Sequence, residues 1–127
     1  MHNVVYPTHK CFDDALDFIA ERLKAASLAE LLDDVEKLLL VHAICCAPDG
    51  TPYSHAWVED GNFCIDRGIF NNEYTYFAVE KEEFYLAKCV QECTKYSLKE
   101  ACELNMRHNS YGPWEERYKI LLKVRNE

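Results

Sequence analysis

Two short segments of alternating polar and apolar residues flank Asp60-Gly61. They cover residues 54–59 and 62–66, and the pattern predicts two antiparallel strands joined by a tight turn. If Asp60-Gly61 is the two-residue loop, His55 pairs directly with Asp66 across the hairpin. Directly opposed residues have Cβ atoms roughly 4.5–5.5 Å apart, so an imidazole and a carboxylate at these positions reach hydrogen-bonding distance.

The same alternation assigns each side chain of the hairpin to a face of the sheet. One face is apolar and is expected to pack on a core: Ala56, Val58, Phe63 and Ile65. The other carries the chemically functional groups: His55, Trp57, Glu59, Asn62, Cys64 and Asp66. We expect Trp57 to wall a pocket beside His55 and Asp66.

Helical and strand patterns surround this hairpin. Apolar residues at three- and four-residue steps predict helices over residues 8–26, 84–94, 98–108 and 114–124, and Ser27 is a candidate N-cap of a shorter helix ending at 37. The apolar run 38–46 predicts a buried strand, with a helix extended from Leu31 as the alternative, and residues 74–79 predict another strand. The chain is therefore expected to form one α+β domain over residues 1–127, with a small antiparallel sheet packed against an N-terminal helix and several C-terminal helices.

Composition narrows the function classes. The 127 residues are 49% hydrophobic with a net charge of −8, which excludes a disordered chain and disfavours nucleic acid as a partner. No apolar run is long enough to cross a membrane, and residues 1–7 do not resemble a secretory signal. The seven cysteines, an odd number, are then expected to be reduced thiols in a cytoplasmic protein.

Cys11 lies in the first turn of the first predicted helix, beside His9 and Lys10. Unpaired backbone amides and the helix dipole favour a thiolate there, so we expect an alkylating reagent to label Cys11 faster than the other cysteines. A helix-start Cys followed by a strand His and an Asp on the next strand is the pattern of a thiol nucleophile with an oriented base. The alternatives are a buried structural thiol and a structural His–Asp hydrogen bond.

The order Cys11, then His55-Ala56-Trp57, then Asp66 resembles that of transglutaminase-like and other compact papain-like cysteine enzymes, including small bacterial and phage proteins. This resemblance implies a papain-like fold, with Cys11 as nucleophile, His55 as base and Asp66 as the residue that orients it. It implies an acyl hydrolase or acyltransferase acting on a peptide, amide or ester without a cofactor. Asp14 departs from the Asn common in related chains, and only Asn3 and Tyr6 stand near the place of an oxyanion-stabilising side chain.

Other interpretations compete with the cysteine enzyme. A zinc site could draw on His42, Cys45, Cys46, His55 and Cys64, but adjacent strand residues such as Cys45 and Cys46 point to opposite faces, so no metal is expected. Cys89 and Cys93, at i and i+4 of the predicted helix 84–94, are expected to be core residues. The charge of −8 and the missing oxyanion residue favour a different alternative: a non-catalytic acidic binding or inhibitory module, of the kind that phages and mobile elements encode.

Overall fold

Five antiparallel strands in the order β4-β3-β2-β1-β5 form the central sheet. The computed structural model describes residues 10–29 and 35–125. The strands are β1 (Leu39–Cys46), β2 (Pro52–Asp60), β3 (Phe63–Phe70), β4 (Glu73–Glu80) and β5 (Glu92–Ser97). The described ranges contain four helices of eight residues or more: α1 (Lys10–Ala29), α2 (Lys81–Lys88), α3 (Leu98–His108) and α4 (Glu116–Arg125). The predicted α+β class is confirmed.

The sheet separates two cores, because alternate side chains of each strand point to opposite faces. The α1 core combines residues of α1, α3 and α4 with one face of the sheet; its members include Phe12, Leu16, Ile19, Leu40, Ala56, Val58, Trp114 and Leu122. The α2 core lies on the other face and includes Val41, Ala43, Cys45, Trp57, Cys64 and Phe84. Strand β1 contributes to both, which explains why its sequence is apolar without interruption and confirms the predicted strand over 38–46 against the helical alternative.

The hairpin is present, but its register differs from the prediction. Asp60 pairs with Phe63, so the loop is Gly61-Asn62 and each β2 residue pairs with a β3 residue two positions further along the chain than predicted. Because this shift is an even number of residues, each side chain keeps its predicted face of the sheet, and Ala56 and Val58 lie in the α1 core. Phe63 is an exception, since it is 49% exposed at the end of its strand.

Two helix boundaries were wrong. Helix α1 continues through Ser27 to Ala29, so Ser27 is not an N-cap, and residues 30–34 of the second predicted helix lie outside the described residues. The predicted helix 84–94 is a shorter helix, α2, followed by strand β5. Cys89 ends α2 with a left-handed backbone (φ 49°), and Cys93 pairs with Ala43 of β1. Tertiary pairing with β1 therefore overrides the helical periodicity, and Cys89 and Cys93 are not a helical core pair.

The predicted start of α3 is confirmed in detail. Ser97 accepts a hydrogen bond from the Glu100 N–H at 3.1 Å and donates its own N–H to the Glu100 carboxylate at 2.9 Å, forming the capping box. Helix α4 follows the turn through Gly112, and Trp114 anchors this segment in the α1 core. In the described residues, no helix has the length and apolar character needed to span a membrane.

Candidate functional site

His55 and Asp66 form a buried hydrogen-bonded pair. The His55 Nε2 atom lies 2.8 Å from Asp66 Oδ2, and the two residues are only 4% and 6% exposed. Because an ionised carboxylate can only accept, His55 carries a proton on Nε2 and donates it to Asp66. Asp66 Oδ1 accepts the backbone N–H of Arg67 at 2.8 Å, which fixes the carboxylate. The His55 Nδ1 atom is buried and makes no hydrogen bond.

The pair spans an opening between two strands of the sheet. Backbone pairing between β2 and β3 consists of three residue pairs and ends at Val58–Ile65, whereas β1 pairs with β2 over eight. Over the remaining described residues of β2 and β3 there is no further pairing. The His55–Asp66 hydrogen bond therefore replaces backbone hydrogen bonds at this position and connects the two strands through side chains.

Cys11 lies at the border of the same opening. It lies in the first turn of α1, as predicted, and the backbone N–H groups of Ala56 and Phe12 are close enough to its sulfur to act on its pKa. Ala56 directly follows His55 on β2. Since Ala56 faces the α1 core and His55 the α2 side, the thiol and the imidazole lie on opposite sides of β2, and His55 does not line the cleft beside Cys11.

The electrostatics of Cys11 differ from the prediction of a thiolate. Burial raises the pKa of this thiol well above its ordinary value, and the nearby carboxylates of Asp66 and Asp14 raise it further. The Ala56 and Phe12 N–H groups act in the opposite direction without compensating. Cys11 is therefore a neutral thiol at physiological pH in this structure.

A narrow cleft lies between Cys11 and Asp66. It contains no space wide enough for a water molecule. Its lining includes Cys11, Asp14, Ala56, Trp57, Asp66 and Arg67. The structure thus brings Cys11 and Asp66 to one cleft, with Trp57 in its wall as predicted. No hydrogen bond joins Cys11 to His55, so their action as a catalytic triad stays a prediction.

Asp14 has a role that the sequence did not reveal. Its carboxylate accepts hydrogen bonds from Arg67 Nη1 at 3.1 Å and from the Tyr74 hydroxyl, and its backbone carbonyl accepts the Tyr76 hydroxyl at 2.8 Å. The Arg67 guanidinium also lies over the Tyr74 ring, 4.3 Å from its centroid. These contacts attach the first turns of α1 to β3 and β4. They also pair the negative charge of Asp14, which lies near the Cys11 thiol, with the positive charge of Arg67.

Glu59 is the second feature missed by sequence reasoning. This carboxylate is 1% exposed and receives Trp57 Nε1–H at 3.2 Å, the Tyr85 hydroxyl, and the Lys95 ammonium at 2.9 Å. Burial acts to raise the pKa of Glu59, but the hydrogen bonds from Tyr85, Lys95 and Trp57 outweigh it and hold the pKa below its ordinary value. Only the alternation of β2 indicated that Glu59 shares a face with His55.

His42 shows why the zinc interpretation gains no support. Its ring is enclosed in the α1 core by Phe12, Tyr96 and Trp114, with centroid separations of 4.7, 5.1 and 5.0 Å, and neither ring nitrogen has a hydrogen-bond partner. It is therefore separated by the sheet from Cys45, which lies in the α2 core. In the part of the chain that the structure describes, no group of three or more His, Cys, Asp or Glu side chains is placed to hold a metal ion.

Comparison with known proteins identifies no relative that indicates the function of this site. The chain matches no model of a known protein family, no curated protein and no solved structure. Asn3 and Tyr6, the oxyanion candidates, lie outside the described residues. Functional inference therefore depends on the geometry around Cys11, His55 and Asp66.

Proposed function

We propose that this protein is a thiol-dependent acyl hydrolase or acyltransferase with a papain-like or transglutaminase-like arrangement of Cys11, His55 and Asp66. One observation carries the proposal: Asp66 binds His55 Nε2 and leaves Nδ1 without a partner, while Cys11 and Asp66 line the same cleft. A carboxylate that fixes one ring nitrogen and leaves the other free is the arrangement an imidazole base requires.

The chemistry follows from the neutral state of the thiol. The Cys11 sulfur attacks an acyl carbonyl carbon while His55 Nδ1 takes the thiol proton, so the step is general-base catalysis instead of attack by a preformed thiolate. His55 then returns the proton to the leaving amine or alcohol as its bond to carbon breaks. Water or a second amine attacks the thioester, His55 takes the proton of that nucleophile, and the sulfur leaves and is reprotonated. The Cys11 backbone N–H, in the first turn of α1, is a candidate oxyanion donor.

Substrate entry requires the cleft to widen, because it is too narrow for a water molecule. The short pairing between β2 and β3 makes this the weakest connection within the sheet, since it has three pairs where β3 and β4 have eight. In the proposed mechanism, separation of β2 and β3 admits the acyl group and brings the sulfur to His55 Nδ1 through the same opening.

An activated ester tests the proposal without knowledge of the natural substrate. Incubation with p-nitrophenyl acetate is expected to transfer an acetyl group to Cys11, detected by peptide mass spectrometry, and to release p-nitrophenol catalytically. Cys11→Ala should abolish acetylation and turnover. His55→Gln, which can still donate to Asp66, should lower the rate at least ~10²-fold, the usual contribution of a general base.

Cys89→Ser is the matched control, because Cys89 is an exposed thiol at the end of α2, outside the cleft. This variant should keep wild-type turnover. Equal turnover by wild-type protein and folded Cys11→Ala would refute the proposal.

The second candidate is a non-catalytic binding or inhibitory module. The raised pKa of Cys11 and the closed cleft favour it, since buried thiols with raised pKa values are chemically inert. Affinity purification separates the two candidates. A binding module predicts that wild-type protein and Cys11→Ala retain the same macromolecular partner and the same biological effect, whereas the enzyme predicts loss of the effect in Cys11→Ala.

A further inference from the structure

A second pair of cysteines lies at the junction of β1 and α2. Cys46 is the last residue of β1, and Cys89 is the residue that ends α2. The Cys46 backbone N–H donates to the Cys89 carbonyl oxygen at 3.2 Å, and the Cys89 thiol is close enough to add to the effect of desolvation in raising the pKa of Cys46. Main chains joined in this way place the two Cα atoms near the separation of roughly 4.4–6.8 Å that a disulfide spans.

The surrounding contacts hold Cys89 in this position. Gln91 donates its side-chain N–H to the Cys89 sulfur at 3.1 Å and to the Cys89 carbonyl at 3.2 Å. The Gln91 backbone N–H also donates to the Ile44 carbonyl of β1 at 2.8 Å. The segment after α2 is therefore attached to β1 at Cys89 and again at Gln91, and disulfide formation needs little backbone movement.

The two thiols also differ in accessibility. Cys89 is exposed and Cys46 is half-buried, whereas the adjacent Cys45 is fully buried in the α2 core. A small reagent in solution thus meets Cys89 first, with Cys46 next to it and Cys45 shielded. An exposed thiol beside a second thiol is the arrangement found at cysteines that are oxidised reversibly.

We infer that Cys46 and Cys89 are a redox modification site that takes low-molecular-weight disulfides such as oxidised glutathione. The Cys89 thiolate attacks one sulfur of the disulfide and releases one thiolate, leaving a mixed disulfide on Cys89. The Cys46 thiolate then attacks the Cys89 sulfur and displaces the second thiolate. The protein loses two electrons and two protons; the oxidant gains both electrons, and its two thiolates take up protons.

The disulfide would join the end of β1 to the end of α2 and close the loop between residues 46 and 89. Cross-linking a loop of this length restricts the unfolded chain and is expected to raise the midpoint of thermal unfolding by ~10 °C. The inference is independent of the proposed acyl chemistry, because it uses neither Cys11 nor His55.

Thiol mapping after oxidation tests this inference. The folded protein is incubated with oxidised glutathione, free thiols are blocked with iodoacetamide, and non-reduced peptides are analysed by mass spectrometry. We expect a linked peptide pair joining Cys46 to Cys89, its reversal by dithiothreitol, and the upward shift of the unfolding midpoint. Cys46→Ser should stop at glutathionylated Cys89, without the shift.

Cys45→Ala is the matched control, since Cys45 occupies the same peptide but faces the α2 core. This variant should still form the Cys46–Cys89 link, and Cys93→Ser offers a second control if Cys45→Ala fails to fold. Three outcomes would overturn the inference: glutathione that stays on Cys89 in wild-type protein, a link through Cys45 instead of Cys46, or no oxidation of either residue.

Discussion

The His55 imidazole donates to the Asp66 carboxylate at 2.8 Å, although the observed register of β2 and β3 does not place the two residues directly opposite one another. The two side chains reach one another at a point where the backbones of β2 and β3 are not paired. This single hydrogen bond therefore has a structural role between the strands in addition to its proposed role in orienting the base.

Removing the Asp66 carboxylate is expected to destabilise the fold. Asp66→Ala leaves the buried Nε2–H of His55 without an acceptor, which costs ~1–3 kcal/mol of the free energy of unfolding. Urea denaturation at neutral pH measures this change. Asp60→Ala, at an exposed position at the end of β2, is the control and should stay within ~0.5 kcal/mol of wild type. An unchanged free energy for Asp66→Ala would mean that the pair adds no stability.

Cys11 should react slowly with alkylating reagents near neutral pH, contrary to the expectation from its helix-start position. Burial raises the pKa of the thiol, so little thiolate is present, and the rate of labelling should still be rising above pH 9.0. Time-resolved iodoacetamide labelling with peptide mass spectrometry compares Cys11 with exposed Cys89. Faster labelling of Cys11 at neutral pH would show that the thiol is activated after all.

His42 is expected to make the fold sensitive to acid. Burial lowers the pKa of His42 to about 3 from the ordinary value of 6.5, while Glu115 acts in the opposite direction. Because the folded-state pKa is depressed, the stability from neutral His42 is complete above pH 6.5 and is lost as the pH falls toward 3. The loss attributable to His42 is at most ~5 kcal/mol.

Chemical denaturation of wild-type protein and His42→Leu across this pH range isolates the effect. As the pH falls below 6.5, the free energy of unfolding of the wild-type protein should decline before carboxylates begin to titrate. His42→Leu should lack this part of the decline. Parallel pH profiles for the two proteins would contradict the assignment to His42.

A side chain at Gly112 is expected to destabilise the fold. A Cβ atom there would lie 2.7 Å from His42 Cε1, and the backbone has φ +100°, a conformation that disfavours other residues. Gly50 is a matched control, because it also has a positive φ, +86°, but a Cβ atom would meet nothing within 4 Å. Gly50→Ala should cost ~1 kcal/mol and Gly112→Ala ~1–3 kcal/mol more, from overpacking. Equal thermal shifts for the two variants would show that the segment moves away from His42.

Local patterns predicted much of the fold. Three short-range patterns predicted the local structure correctly: the capping box of Ser97 and Glu100, the uninterrupted apolar run of β1 and the alternation of β2. Boundaries set by tertiary pairing were not predictable in this way. The apolar residues of β5 have a helical spacing, but this segment is a strand because it pairs with β1, which is distant in sequence.

The candidate site was predictable in part for the same reason. Face alternation survived the error in register, so His55 and Asp66 were correctly placed together. The state of Cys11 depends on how deeply α1 is buried and on the charges of Asp14 and Asp66, and neither follows from its position at a helix start. The partners of Glu59 come from β2, α2 and β5, a convergence that no spacing in the sequence reveals.

The three-pair connection between β2 and β3 divides the sheet into unequal cooperative units. One unit contains β1, β2 and β5, and the other is the β3–β4 hairpin, whose own eight pairs keep it intact when it separates. Separation of the hairpin would then expose only the backbone groups through which β2 and β3 pair, and these amide hydrogens would exchange with deuterated solvent before those of β1 and of the β3–β4 ladder.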